Sequence, residues 1–136
     1  MTKAQVATEY LVIIAVGVAI LIPMVVYLND MYISYKDDSN IASAKTAAEK
    51  IASLTNWVYS QGKPAKVVAS VYLPGGIEEI ELENKTITFK MKTKSGIVDV
   101  SKDTTAIIAG SLPTSKGFYR VAVIAEDDFV NITVVK

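Results

Sequence analysis

Neither cysteine nor histidine occurs among the 136 residues of the chain. Their absence removes the usual thiol nucleophile, the usual general base at neutral pH, the softer metal ligands and any disulfide framework. The chain also lacks an excess of charge of either sign, because 14 basic residues balance 14 acidic ones. A neutral chain has no bulk attraction to nucleic acid or to anionic lipid. Carboxylates remain, so composition does not exclude a hard-cation site or a paired-acid mechanism, but the sequence shows no convergent acids for either. We expect no enzymatic activity, no catalytic residue, no cofactor or metal, and no nucleic-acid binding.

Hydrophobic residues make up 51% of the chain, and their excess lies near the N-terminus. No charged residue occurs at positions 10–28, where the sequence reads YLVIIAVGVAILIPMVVYL. A run of this length matches the roughly 20 apolar residues that cross a hydrocarbon core of about 30 Å. Residues 10–28 are therefore predicted to form a transmembrane segment.

A helical stalk is predicted at residues 5–62. Beyond the apolar run, hydrophobic residues recur at steps of three and four, as in an amphipathic helix. They are Ile41, Ala44, Ala48, Ile51 and Val58. Good helix-capping residues at 37–40 predict a kink or a short break within the stalk. Gly62 and Pro64 predict its end, because Gly accepts a left-handed conformation and Pro cannot continue the helical hydrogen bonds.

The remaining residues, 66–136, are predicted to form an extracellular β-rich domain. Their hydrophobic period is two, and turn-forming residues divide them into short strands. The predicted strands are 67–73, 77–82, 86–91, 97–100, 106–109, 118–125 and 129–135. The fold class is therefore α+β: a long N-terminal helix followed by a small antiparallel sheet, arranged as a meander or sandwich. Because about seventy residues build only a modest core, we expect the domain to pack on its own stalk through Trp57 and Val58.

The boundary between polar and apolar residues lies in front of the hydrophobic run, in Lys3-Ala4-Gln5-Val6-Ala7-Thr8-Glu9-Tyr10. A secretory signal would place small residues after its hydrophobic core, but Tyr27-Leu28-Asn29-Asp30 stands there. The motif instead resembles the class III signal peptide of archaeal type IV pilin precursors. In that family a short leader ends in a basic and a small residue. The leader is followed by Gln, and an acidic residue stands four positions after that Gln.

The resemblance implies a processing site. Residues 1–4 would be the leader, and a prepilin-peptidase-like enzyme would cut between Ala4 and Gln5. Gln5 would then become the new N-terminus and Glu9 the fifth mature residue, while the apolar helix would be retained. Ala4 departs from the family's pattern, in which Gly is more usual at this position. The resemblance is close over about the first thirty residues; beyond them it extends only to the plan of helix, β-domain and a Leu-Pro-Gly turn at 73–75.

Glu9 is also notable on physical grounds. A carboxylate on a helix bound for hydrocarbon costs about 2.5–3.5 kcal/mol at the bilayer centre on insertion scales, and less near the interface. After cleavage, Glu9 of one subunit could pair with the α-ammonium of another and so set the register of assembly. The alternative is that Glu9 rests among lipid headgroups and complements its own helix N-terminus.

Small residues and one proline interrupt the bulky side chains of the apolar run. Ala15, Gly17 and Ala19 permit close approach of neighbouring helices, although plain membrane anchors contain such residues too. Pro23 lacks an amide hydrogen and would loosen the helix at its middle. In the pilin family a proline at similar depth is linked to local melting during assembly, which the resemblance implies for Pro23. The alternative is a tolerated transmembrane kink.

Two glycosylation sequons occur in the β-rich domain, at Asn84 and Asn131. Asn84 lies in a predicted turn and is the better acceptor, because glycosylation requires an exposed loop. Asn131 lies in a predicted strand, where its side chain would point to solvent.

Charged clusters in the β-rich domain are predicted to be solvated surface. Glu78-Glu79 and the acidic run at 126–128 lack the spacing of a calcium-binding loop. Lys90, Lys92 and Lys94 alternate and so share one strand face, but no aromatic residues lie between them to stack on bases.

Taken together, the sequence predicts a pilin, that is, a structural subunit of a type IV pilus-like extracellular filament. Its expected partners are membrane lipid before assembly, a prepilin-peptidase-like protease, an assembly ATPase with its membrane platform, and identical subunits in the filament. The chain would begin in the cell membrane and end on the cell surface. The alternatives are a minor pilin or pseudopilin, and a single-pass membrane protein whose outer domain binds an extracellular partner. A third is a membrane-tethered enzyme, which the absence of His and Cys disfavours.

Overall fold

In the computed structural model, which describes residues 2–135, the chain forms one helix and seven strands. The elements are α1 (Thr2–Gln61), β1 (Lys66–Leu73), β2 (Ile77–Glu83), β3 (Thr86–Thr93), β4 (Gly96–Asp103), β5 (Ile108–Gly110), β6 (Gly117–Ala125) and β7 (Val130–Val135). The predicted α+β class is confirmed. Met1, the first residue of the predicted leader, and Lys136, the last of the predicted β-rich domain, lie outside the described residues.

All seven predicted strands are present. The largest shift is at β4, which ends at Asp103 instead of residue 100, and β5 begins at Ile108 instead of residue 106. Ala106 is buried, but its carbonyl oxygen accepts a hydrogen bond from the Thr104 hydroxyl at 2.8 Å. A carbonyl engaged by a local side chain favours a turn over a strand ladder. The prediction that a strand begins at Ala106 is therefore wrong, because the backbone bends there before β5.

The strands form two sheets, one with the order β1-β6-β7-β5 and one with the order β2-β3-β4. The three-stranded sheet is an antiparallel meander, as predicted. In the four-stranded sheet, however, β5 pairs with β7 in parallel, so the expectation of purely antiparallel pairing is wrong there. The next strand in sequence, β6, lies on the far side of β7, and β7 then turns back antiparallel to β6 into the gap beside β5. That order leaves β5 and β7 pointing the same way.

The chain divides into two compact units, one ending at Lys36 and the other beginning at Asp37. The second unit contains both sheets and the helical residues from Asp37 onward. One hydrophobic core joins that part of the helix to the inner faces of both sheets. Its largest fully buried side chains include Phe89, Ile51, Leu73, Ile87, Met91 and Ile132. A β-rich domain of this size therefore uses helix residues to complete its core, as expected.

Only one face of the helix enters that core. Val58 is fully buried, which confirms its predicted contact, whereas Trp57 is 53% exposed and its predicted contact is wrong. Successive residues of an α-helix point about 100° apart, so the face that buries Ile51 and Val58 turns Trp57 outward. Size and hydrophobicity made Trp57 attractive as a core residue, but helical phase excluded it.

The helix continues through residues 37–40, where a kink or break was predicted. Asp37 does not cap a helix there, because its Oδ2 accepts a hydrogen bond at 2.8 Å from the backbone amide of Lys94 in the β3–β4 turn. The helix ends after Gln61, as predicted. Gly62 adopts a φ of 74°, and its amide donates to the carbonyl oxygens of Val58 and Tyr59 at 3.2 Å each.

Candidate functional site: the apolar helix and its polar edge

The predicted processing and assembly residues lie on the exposed first turns of α1. Ala4, Gln5 and Glu9 are all helical and exposed. The Thr8 hydroxyl donates a hydrogen bond to the carbonyl oxygen of Ala4 at 2.9 Å, on the N-terminal side of the predicted scissile bond. Gln5 and Glu9 are four residues apart and therefore lie on the same face of the helix.

Glu9 lies at the edge of an open groove with a volume of about 430 Å³, which Thr8, Val12 and Ile13 also line. Among residues 2–135, no hydrogen bond or ion pair engages the Glu9 carboxylate. A carboxylate needs a charged or hydrogen-bonding partner once apolar surface covers it. The chain itself supplies no such partner in the described residues.

The large apolar side chains at residues 10–28 of the first unit are exposed. Ile13 is 68% exposed and Tyr27 is 67% exposed, and the other large apolar residues between them are exposed as well. Within residues 2–135, α1 is the one helix long and apolar enough to cross a membrane, and no part of its apolar window is buried. It is therefore usable as a membrane anchor. Its exposed apolar surface is stabilised when lipid or another apolar surface covers it.

The small residues of the apolar helix lie on two faces. Ala15 and Ala19 are four residues apart and share a face, whereas Gly17 is rotated by about 200° from Ala15 and so lies on the opposite side. A side chain added at Gly17 would meet no other atom within 4 Å. Hence the chain's own packing does not demand glycine at this position. The pair Ala15 and Ala19 matches the small-x-x-x-small spacing that brings membrane helices together.

Pro23 lies inside α1, and the helix continues on both sides of it. Proline removes the hydrogen bond that its amide would have donated to the carbonyl oxygen of Ala19. The helix is therefore locally weaker at Ala19, which is also one of the small residues that permit close approach of another helix.

Both sequons lie where the sequence placed them. Asn84 is exposed in the β2–β3 turn with a φ of 52°, a left-handed conformation that Asn tolerates well. Its carbonyl oxygen accepts a hydrogen bond from the amide of Ile108 at 2.7 Å, which fixes the backbone of the turn while the side chain stays free in solvent. Asn131 lies within β7, opposite Ile124 of β6, and is only partly exposed.

The charged clusters of the three-stranded sheet are paired across strands, which the sequence analysis missed. Lys90 binds Glu79 at 3.1 Å and also binds Glu81, while Lys92 lies 3.8 Å from Glu78. Hydrogen bonding to Glu81 and then to Glu79 raises the pKa of Lys90. The strand register could have predicted these pairs, since Glu79 and Lys90 are direct cross-strand neighbours. Lys94 lies in the following turn rather than on the strand.

Within the described part of the chain, no group of three or more acidic side chains is arranged to hold a metal ion. Asp127 of the acidic run at 126–128 pairs with Lys63 at 3.2 Å, and both side chains are largely exposed. An exposed ion pair of this kind contributes little to stability.

An exposed aromatic pair on the four-stranded sheet was also missed. Phe118 is 77% exposed, and its ring lies 5.0 Å from that of Tyr72 on the neighbouring strand. The alternation within β6 could have predicted this exposure. Phe118 and Arg120 point to one face of the sheet, while Val121 and Val123 point to the other. Large exposed aromatic residues are common at binding surfaces.

One long apolar N-terminal helix followed by β-sheets is a layout compatible with a pilin-like fold. Comparison with protein-family models, with curated proteins and with solved structures finds no match to this chain.

Proposed function

We propose that the protein is a pilin, the structural subunit of a type IV pilus-like filament that is assembled from the membrane through its apolar N-terminal helix. The observation that carries this proposal is the first unit itself: a helix with exposed large apolar side chains and a carboxylate at its edge that has no partner in the described residues. Lipid alone would satisfy the apolar side chains. Only a charged or hydrogen-bonding neighbour would satisfy Glu9 after burial.

The mechanism of assembly is an exchange of environment. In the membrane the helix contacts acyl chains; in the filament the same surface contacts identical helices. Because lipid and apolar side chains are about equally hydrophobic, close packing at small residues must favour the helix contact. Ala15 and Ala19 are placed for such packing, and the weaker helix at Pro23 permits local adjustment.

Glu9 sets the register between subunits. Cleavage between Ala4 and Gln5 would create an α-ammonium on Gln5, and this cation would pair with Glu9 of a neighbouring subunit. A buried pair of opposite charges is weak evidence for stability, but removing one partner costs about 3–5 kcal/mol because the other charge is left alone. A subunit inserted one turn out of place would suffer that cost.

Processing and export follow from the resemblance of Lys3-Ala4-Gln5 and Glu9 to class III signal peptides. A prepilin-peptidase-like protease removes residues 1–4, and an assembly ATPase with its membrane platform moves the subunit from lipid into the filament. The β-rich domain lies on the extracellular side, where Asn84 is the favoured glycosylation site because it occupies an exposed turn.

A second candidate function is a single-pass membrane protein with an extracellular binding domain. The exposed apolar helix supports it equally well, and the exposed Phe118 would suit a binding surface. This alternative gives no role to the motif around Gln5 or to the carboxylate of Glu9.

Electron microscopy of surface filaments, combined with mass analysis of the native N-terminus, distinguishes the two functions. A pilin should yield filaments that contain this chain beginning at Gln5. A chain that retains its leader and stays dispersed in the bilayer would exclude the filament and favour the membrane anchor. Counting subunits in sheared filaments separates a major pilin from a minor one, since a minor pilin would be scarce.

A further inference from the structure

The two sheets of the second unit have outer faces of opposite electrostatic character. The outer face of the four-stranded sheet, called here the basic face, consists of alternate residues of β1, β6 and β7 starting at Lys66, Phe118 and Asn131. The outer face of the three-stranded sheet, called here the acidic face, consists of alternate residues of β2, β3 and β4 starting at Glu79, Thr86 and Ile97. The opposite sides of the same strands enter the shared core.

Among residues 2–135, the basic face has cations and no carboxylate. Its charged residues are Lys66 and Arg120, both exposed. Neither side chain makes an ion pair or a hydrogen bond within residues 2–135. Two cations without an acidic neighbour on the same face are free to attract an external anionic surface.

The basic face is also apolar enough to bind a partner. Val68 is 40% exposed on the edge strand β1, and Phe118 is 77% exposed at one end of β6 beside Tyr72. A groove with a volume of about 840 Å³ runs beside Phe118, Arg120 and Val135. An aromatic anchor next to a groove and a charged group is the composition typical of binding hot spots.

The acidic face has more carboxylates than its own lysines neutralise. Lys90 is occupied by Glu79 and Glu81, and Lys92 by Glu78. Asp103 accepts a hydrogen bond from the Thr86 hydroxyl at 3.0 Å, and no cation pairs with it in the described part of the chain. Glu83 and Asp99 are exposed and have no partner among the described residues. This face therefore presents unpaired anions where the other sheet presents unpaired cations.

We propose that the basic face of one copy of this chain docks on the acidic face of the next copy. The inference rests on the proposed filament function. It adds a contact between the β-rich domains of neighbouring subunits to the contact between their apolar helices. Charge complementarity selects a second copy as the occupant, and a chain with 14 basic and 14 acidic residues has no net repulsion from itself. Because the two faces are different surfaces, the contact is heterologous and repeats without closing into a dimer.

The contact is too small to hold two domains together alone. Three strands of about eight residues cover roughly 26 Å by 14 Å, an area of about 360 Å². This area is below the roughly 800 Å² that each partner buries in a stable complex. The faces therefore orient subunits that the helices already hold together, and the contact must be tested in the full-length chain.

Cross-linking between engineered cysteines tests the proposal, since the natural chain has no cysteine to interfere. Val68→Cys on the basic face and Ser101→Cys on the acidic face are introduced into the full-length chain, and native filaments or membranes are treated with a short bismaleimide. The double variant should give a ladder of dimers, trimers and larger species on a denaturing gel. Each single variant should remain monomeric. Val68→Cys combined with Lys45→Cys on the exposed helix surface is the matched control and should give no ladder.

The outcomes separate this inference from the proposed function. Filaments without a ladder would overturn the docking of the two faces and leave the pilin proposal standing. Dimers from either single variant would show a symmetric contact and would also overturn it. Absence of both filaments and ladder in the native membrane would count against both proposals.

Charge reversal provides a second, independent test. Lys66→Glu with Arg120→Glu should lower the cross-linking yield about tenfold, because like charges then face each other. Adding Glu83→Lys and Asp99→Lys to the same chain should restore the yield, since the faces are again complementary. Lys45→Glu changes charge off both faces and should leave the yield unchanged. If the variant with all four substitutions folds and inserts normally but does not regain the cross-linking yield, the electrostatic pairing is contradicted.

Discussion

Glu9 is the residue on which the assembly mechanism depends most directly. Glu9→Gln keeps the size and hydrogen-bonding capacity of the side chain while removing its charge. We expect normal membrane insertion but few or no filaments, because the α-ammonium of the neighbouring subunit would be buried without a counter-charge. Membrane fractionation measures insertion, and electron microscopy of surface filaments measures assembly.

Glu126→Gln is a suitable control for this change, since it removes the same charge from the β6–β7 turn of the second unit. Filaments at wild-type yield in the Glu9 variant would show that the carboxylate serves the headgroup region or its own helix terminus instead.

Gly110 is the position where the fold most strictly requires glycine. A Cβ built there would lie 1.9 Å from the carbonyl oxygen of Ile132 on β7, and the φ of 132° is one that other residues rarely adopt. Gly110→Ala should therefore lower the free energy of unfolding by about 2 kcal/mol or more. Urea unfolding of the full chain in detergent, followed by circular dichroism, measures the change.

Gly75→Ala provides the comparison for Gly110. Its added Cβ would make an ordinary contact with Lys116 Cδ at 3.7 Å, so we expect a change within about 0.5 kcal/mol. Equal effects of the two substitutions would show that the approach of β5 to β7 is not as close as described.

At the scale of elements, the helix of the second unit serves as part of the β-domain core. Ile51 is fully buried, whereas Trp57 lies about 120° around the helix from it and is 53% exposed. Ile51→Ala should lower the free energy of unfolding by about 2–5 kcal/mol through lost burial and a cavity. Trp57→Ala should change it by less than about 0.5 kcal/mol, although it removes the larger side chain. The same urea titration tests both, and a greater loss from the Trp57 variant would be incompatible with this packing.

Polar contacts attach the same helix segment to both sheets. Lys50 Nζ donates to the carbonyl oxygen of Ser70 on β1, and Glu49 lies 3.9 Å from Lys102 on β4. Asn56 Oδ1 accepts a hydrogen bond from the amide of Thr105 at 2.8 Å, just after β4. These contacts involve exposed or half-exposed groups, so they fix the position of the helix more than they add stability.

On the scale of the whole molecule, the apolar helix is expected to carry information beyond hydrophobicity. Replacing residues 10–28 by a generic run of leucines keeps enough apolar length to span the membrane. We expect this variant to anchor normally but to form no filaments, because it loses the small residues at 15, 17 and 19 and the proline at 23. Membrane fractionation and electron microscopy test the two expectations separately, and abundant filaments would reduce the role of the helix to that of a plain anchor.

The elements themselves could be predicted from sequence because local signals determined them. The apolar run at 10–28, the alternation within each strand and the Gly62 and Pro64 stop signal act over a few residues. The motif around Gln5 and Glu9 is equally local, which is why the candidate processing and assembly site could be located without a structure. Its function remains a proposal, since its proposed partners lie in other molecules.

The tertiary structure decided what depends on distant residues. Ala106 and Trp57 were misjudged because backbone hydrogen bonding and helical phase overrode apolar character. The parallel pairing of β5 with β7 depends on the strand order β1-β6-β7-β5, and no local pattern encodes that order. The opposite charges of the two outer faces likewise emerged only from strand register, which determines which charged residues share a face and which of them remain unpaired.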